Sequence, residues 1–292
     1  VLFLCWLVLA AAHPVHAAEA HPPQAPDADP FMPAAELGQP PDSMNPEPCD
    51  PAAVPAAKSR IAIIIDDMGM QHHIDEQLLA LELNLTFAFL PYGPHTREIE
   101  ERAWAAGHDV LVHMPMEPKD PRWDPGPDAL YVSDSYARLS EAVEKNLARV
   151  PHAVGVNNHM GSLFTGDRLA MHQFLDLIRQ RGMFFIDSGT SVESIGLREA
   201  REMGIKSARR HVFLDNAQNL KDICRRLQEL VGVARDQGWA VGIGHANAAT
   251  VDALRRCRGM LRENAELVGI QELIDAVGDG EAAEVCLEQP LE

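Results

Sequence analysis

The sequence predicts an α/β fold built from βα units, arranged either as a closed or nearly closed barrel or as an open doubly wound sheet. Three observations point there. Short apolar runs recur about eight times from residue 61 onward, helical patterns lie between them, and unusual polar residues gather where the runs end. The first run, residues 61–65 (IAIII), is continuously apolar and β-branched and closes on Asp66 and Asp67. A strand of that texture needs both faces buried, as in a parallel sheet covered by helices. Further runs follow at 85–90, 109–113, 153–157, 183–187, 205–208, 239–243 and 267–270. Of the helical patterns, 95–106 ends at Gly107, and 167–181 starts on Asp167 as its N-cap and stops at Gly182. The stretch 219–237 carries Leu220, Ile223, Leu227, Leu230, Val231 and Ala234 at helical spacing and stops at Gly238. Alternation of this kind indicates βα units.

The chain has 292 residues, 46% of them hydrophobic, enough for one sizeable core. Its formal charge is −18. A field of that sign repels phosphate backbones and anionic lipid, so nucleic acid is not an expected partner. Residues 1–12 (VLFLCWLVLAAA) are apolar but short for a membrane span, and small residues follow at Ala17 and Ala18. The pattern reads as a signal peptide over 1–18, with export to the periplasm and no stable membrane insertion after cleavage. Twelve of the 21 prolines fall between Pro14 and Pro55, so 19–58 reads as a disordered linker. The folded domain is expected over 59–275 and a loose acidic tail over 276–292. Cys49, Cys224, Cys257 and Cys286 show no CxxC spacing. Cys224 and Cys257 lie in helical patterns, where buried free thiols are the expectation.

In a βα barrel the C-terminal strand ends share one rim, and active sites are assembled there. Asp66 and Asp67 close the first strand, His113 the third, Asn157, Asn158 and His159 the fourth, Asp187 and Ser188 the fifth, and His245 closes VGIGH. Singly, each has an ordinary explanation: an Asp caps the next helix, a His fills a surface, an Asn shapes a turn. Helix caps do not require that carboxylates and three histidines from different strands converge on one rim. Asp67, His113 and His159 form a set of one carboxylate and two imidazoles, suited to Zn²⁺ or a similar divalent ion. A neighbouring carboxylate would then serve as a base. No GxGxxG, GxxxxGKS or GxSxG is present, so dinucleotide, P-loop and nucleophile-elbow chemistry lack support.

At these residues the chain resembles the polysaccharide deacetylase superfamily with the NodB-type fold (carbohydrate esterase 4), and more closely its divergent, YibQ-like branch. The resemblance runs over about 60–275. It implies a NodB-like (β/α) barrel of about seven to eight mostly parallel strands, irregular or incompletely closed. IIIDDMG is similar to the first motif, implying Asp66 as catalytic base and Asp67 as metal ligand. GHDVLVH matches the GH-x4-H pattern, implying His113 as ligand. VGIGH resembles the final motif, implying His245 as general acid. Where the superfamily carries a second His, this chain has Glu117 in HMPMEP, and GVNNHMGS stands where an Arg-Pro motif is usual. Both departures match the divergent branch. They imply His159 as third ligand, with Glu117 as its support or substitute.

The activity so implied is removal of acetyl groups from an envelope or exported polysaccharide, with a divalent metal, most simply zinc, as cofactor. Asn157 and Asn158 would bind sugar hydroxyls or hold the His159 tautomer, and Asp187 would orient His245 or bind substrate, with Ser188 beside it. The segment 118–137, with Trp123 and Tyr131, reads equally as a sugar-stacking lip or as a structural loop. Two other functions fit the same residues: a metal-dependent carbohydrate-binding module without turnover, and a periplasmic scaffold. The sequence identifies no protein partner.

Overall fold

The computed structural model describes residues 58–285. The expected signal peptide and nearly all of the linker, Cys49, Cys286 and residues 286–292 lie outside the described residues. The order of elements is β1 (Arg60–Met68), α1 (His72–Leu79), β2 (Thr86–Phe89), α2 (Thr96–Ala105), β3 (Val110–Met116), α3 (Tyr136–Arg149), β4 (Gly155–Met160) and α4 (Arg168–Arg179). It continues through β5 (Phe184–Asp187), α5 (Gly196–Glu202), β6 (Ser207–Arg209), β7 (Val212–Phe213), α6 (Leu220–Gln237), β8 (Trp239–His245), α7 (Ala248–Asn264), β9 (Glu266–Leu267) and α8 (Ile270–Val285).

The strands pair in the order β6-β5-β4-β3-β2-β1-β8-β7, with β9 against the start of β1. Every pairing is parallel. β6 and β7 stand at opposite ends of that order, yet only two residues separate Arg209 from Val212. Three Cα steps reach about 11 Å at most, so the sheet must curl until its edges nearly meet. The result is an incompletely closed barrel with a seam between β6 and β7. The two-residue β7 lies outside the expected runs, and the run expected at 267–270 shrinks to β9 because Ile270 already begins α8. α8 also continues to Val285, ten residues into the segment expected as a loose tail.

Two apolar layers follow from strand alternation. Ala62 and Ile64 of β1, Leu111 of β3, Phe184 and Ile186 of β5, and Val241 and Ile243 of β8 face the barrel interior. Leu273 and Ile274 of α8 join that cluster beside Trp239 and Val154, at the starting ends of the strands. α8 therefore plugs the end of the barrel opposite the rim. Ile61, Ile63, Ile65, Val112, Val156 and Phe185 face outward against the helices. All of residues 61–65 are fully buried, as a two-faced strand requires. Gly155 is small for a steric reason: a Cβ there would collide with the Phe184 ring inside the barrel.

The helices end where their chemistry dictates. The side chains of Asp167, Asn219 and Asn247 accept hydrogen bonds from Ala170 N, Asp222 N and Thr250 N at the starts of α4, α6 and α7. Gly238 stops α6 in the left-handed region at φ 89°. Cys224 on α6 and Cys257 on α7 do not remain free thiols; they form a disulfide with Cα atoms 6.2 Å apart. The two helices pack side by side and each presents its cysteine to the other, a pairing that helical periodicity alone cannot reveal.

Candidate metal centre and active site

The site begins with an irregularity in β1. Residues 62, 64 and 66 share the inner face, so Asp67 should point outward toward the helices. Instead the register against β2 shifts between Ile65 and Met68, and Asp67 takes φ 60°. This bulge turns Asp67 back toward the rim, so that two consecutive carboxylates serve one site. Asp is among the few residues that tolerate that backbone.

His113 lies inward on β3 and pairs in register with Asn157 on β4; His159 lies two residues further along β4 on the same face. Asp67 Oδ1 stands 3.5 Å from His113 Nε2 and 3.3 Å from His159 Nδ1, and the two nitrogens are 3.1 Å apart. A tetrahedral zinc ion bound at about 2.0–2.1 Å sets its ligand atoms about 3.3 Å apart. Asp67 Oδ1 is also buried without a hydrogen-bond partner. A carboxylate oxygen in that condition, facing two imidazole nitrogens, is a cation-ready donor set. The residues fit a divalent metal.

Asn157 links the two halves of the site. Its Nδ2 donates to Asp66 Oδ1 at 2.7 Å, which leaves its Oδ1 to accept from His113 Nδ1 at 2.9 Å. That bond puts the His113 proton on Nδ1 and turns the Nε2 lone pair toward Asp67 and His159. Burial pushes His113 down to about 3, with the neighbouring His159 acting in the same direction, so it is neutral, as a ligand must be. Burial pushes Asp66 up to about 7 despite His245 and the Asn157 hydrogen bond. Burial opposes charge on Asp67 too, but His159, His113 and His245 outweigh it and hold that carboxyl below the ordinary range. Adjacent carboxylates thus divide into one that exchanges a proton near neutrality and one that stays ionised.

His245 closes β8 directly beside Asp66, its in-register partner on β1. Asp187 does not orient it. Phe184 and Ile186 of β5 face inward, as does Ser188 just past its end, so alternation turns Asp187 away, where it accepts from Gly189 N and Ser194 Oγ at 2.8 Å each. The orienting residue is Asp215, just past β7, which the strand pattern of the sequence does not single out. Its Oδ1 accepts from His245 Nδ1 at 2.9 Å, and its Oδ2 receives Asn247 Nδ2 and Thr250 Oγ1. Burial works against a charged His245, but the Asp215 hydrogen bond and the charges of Asp66, Asp215 and Asp67 raise it to about 9. One signal for Asp215 exists: residues 211–215 (HVFLD) repeat the pattern of residues 184–187 (FFID), an apolar run ending in Asp.

The remaining expected residues shape the rim. Asn158 faces away from the site. Its Oδ1 accepts from Ser188 N and its Nδ2 donates to Met160 O, so it braces the loop after β5, and it is Asn157 that fixes a histidine tautomer. Ser188 lies within 3.3 Å of Asn157 Nδ2. Glu117 Oε2 accepts from Val132 N at 2.8 Å, which ties down the segment after β3 and keeps Glu117 out of the donor set. Trp123 and Tyr131 stand exposed on that segment.

An incompletely closed parallel barrel with carboxylates and imidazoles on its rim defines a polysaccharide-deacetylase type of fold. The chain belongs to the divergent polysaccharide deacetylase family, which it matches over residues 63–274. It is 34% identical over 223 residues to the uncharacterized protein YibQ of Escherichia coli K12, across 76% of this chain and 69% of that protein. An uncharacterized Haemophilus influenzae protein is likewise 34% identical over 220 residues, 74% of this chain and 77% of the relative. Among solved structures, the uncharacterized protein ATU2773 of Agrobacterium tumefaciens C58 superposes with a TM-score of 0.72 at 26% identity, covering 75% of this chain and 90% of that one.

Proposed function

We propose that this chain is a metal-dependent hydrolase that removes acetyl groups from an envelope or exported polysaccharide. One observation carries the proposal: Asp67 Oδ1, His113 Nε2 and His159 Nδ1 converge within 3.5 Å of one another, with Asp66 and His245 beside them on the same rim. A divalent cation held by those three donors, zinc by their chemistry, would supply Lewis-acid polarisation of the acetyl carbonyl and of water. Asp66 has one oxygen committed to Asn157; its Oδ2 remains to take the proton of water as the oxygen attacks the carbonyl carbon. His245, charged at neutral pH, holds its Nδ1–H on Asp215 and delivers its Nε2 proton to the departing nitrogen or oxygen as the bond to the acyl carbon breaks. Acetate and the freed amine or hydroxyl result, and Asp66 and His245 return to their starting states by exchanging protons with solvent. That Asp66 is not locked on both oxygens favours turnover over a binding module. The Cys224–Cys257 disulfide supports a periplasmic site of action, because such bonds persist in oxidising compartments.

The test is metal content and acetate release measured on the same samples of wild type, Asp67→Asn and His159→Ala. The expected result is about one divalent ion per chain, lost or weakened in both variants, with acetate release that follows the metal. Metal bound without release from any acetylated glycan would move the reading to a binding module. No metal uptake from supplied Zn²⁺ would sink it.

A further inference from the structure

We infer that the segment between β3 and α3 builds a sugar-binding subsite beside the metal centre, which stacks a pyranose ring of the polymer on Trp123 and Tyr131. The inference rests on the deacetylase reading for the nature of the ligand. Its structural basis is separate. A cavity of about 420 Å³ opens here, and Trp123, Tyr131 and Leu163 line it at 62%, 37% and 38% exposure. Three large apolar side chains left open around one hollow are unexplained by folding, which would gain by burying them. Aromatic faces bordered by hydrogen-bonding groups suit a ligand with apolar C–H faces and a polar edge, which is the anatomy of a pyranose.

The polar edge is present. Glu117 and Asp124 line the same cavity, and each uses one carboxylate oxygen on the backbone of the segment, at Val132 N and Gly126 N. The other oxygen of each remains for hydroxyl or amide donors. Lys119, also at the cavity, is held by Glu193.

The segment is preformed. Glu117 N donates to Leu130 O, Leu130 N to Pro115 O, Tyr131 N to Asp134 Oδ2 and Trp123 N to Asp120 O. Gly126 packs so closely on Tyr92 that a Cβ would strike the ring. A platform ordered before binding loses little entropy when ligand arrives. It is also adjacent to the chemistry. Glu117 lies four residues beyond His113, just past the end of β3, and Leu163 N donates to Glu117 O. Four residues of extended chain span about 13 Å, a sugar-unit scale and not an acetyl-group scale. The structure therefore assigns selection of polymer over free sugar to this segment, and acetyl cleavage to the rim.

The test uses the purified full chain, fully N-acetylated chitotetraose as probe, and wild type beside Trp123→Ala and Trp123→Phe. Trp123 is exposed, so neither variant threatens the fold. Calorimetry is expected to show Kd for chitotetraose rising about three- to tenfold in Trp123→Ala and staying near wild type in Trp123→Phe. Hydrolysis of para-nitrophenyl acetate, too small to reach the platform, is expected to be unchanged. Equal Kd in wild type and Trp123→Ala, or no binding by wild type, overturns the subsite. If chitotetraose binding depends on Trp123 but wild type releases no acetate, the subsite stands and the hydrolase reading falls. If wild type releases acetate while Kd is indifferent to Trp123, the hydrolase reading stands and the subsite falls.

Discussion

Asp215 grips His245 twice: its Oδ2 accepts from the backbone N–H at 2.7 Å and its Oδ1 from ring Nδ1 at 2.9 Å. The first bond fixes where the strand end sits, and the second fixes the tautomer and the charge of the ring. Asp215→Asn keeps the shape and removes the negative charge. The alkaline limb of kcat against pH is expected to move from near 9 toward the ordinary histidine range near ~6.5. Acetate release at pH 8 should fall about 10- to 100-fold. An unmoved limb would mean that His245 is not the acid.

Asp75 offers a pH effect unconnected with the site. It is fully buried on α1; Oδ2 accepts from Gly69 N at 3.1 Å, and Oδ1 has no partner. Burial raises its carboxyl to about 6. The fold prefers the neutral acid, so its contribution is fully present below the unfolded value near ~3.9 and is lost as pH rises through about 6. Asp75→Asn retains the acceptor and cannot ionise. In urea unfolding at pH 8 the variant should be more stable than wild type by about 1–2 kcal/mol, and the advantage should vanish at pH 4.

These two aspartates mark what can and cannot be seen in the sequence. A continuous β-branched run such as residues 61–65 announces a two-faced parallel strand, and the polar residues at its end announce the rim. The phase of the pleat is hidden in such runs, because both faces are apolar. That is why Asp187 and Asn158, each next to an inward residue, read as members of the site although they point away. β7 is only two residues long, too short to register as a strand, so only the likeness of residues 211–215 to residues 184–187 marks Asp215 as a strand-end residue. The pairing of Cys224 with Cys257 depends on how α6 and α7 are rotated against each other, which spacing does not encode.

The disulfide joins the helices that flank β8 and closes a loop of 33 residues. Loop-closure entropy assigns such a link about 3–4 kcal/mol. Cys224→Ser with Cys257→Ser should lower the thermal midpoint by roughly 6–15 °C while leaving metal content unchanged. A midpoint indifferent to both the substitutions and added reductant would show that the link contributes nothing to stability.

Inside the barrel, Gly155→Ala places a methyl group against the Phe184 ring. Overpacking of this kind costs about 1–3 kcal/mol. Phe184→Leu in the same chain should restore much of the loss, measured as the denaturant midpoint. If the double variant is no better than the single one, the clash is not the cause.

The left-handed bulge at Asp67 makes one position answer to two separate demands. The backbone there admits Asp, Asn and Gly readily and most other residues at about 1–2 kcal/mol. A divalent cation held there would admit only a carboxylate readily. Asp67→Asn should therefore melt like wild type and hold metal poorly, whereas Asp67→Ala should lose on both counts. On the deacetylase reading, the chemistry of this rim would be switched off by a single residue with no structural trace, and a descendant carrying Asn at this position would keep the barrel and still hold the polymer while no longer removing its acetyl groups.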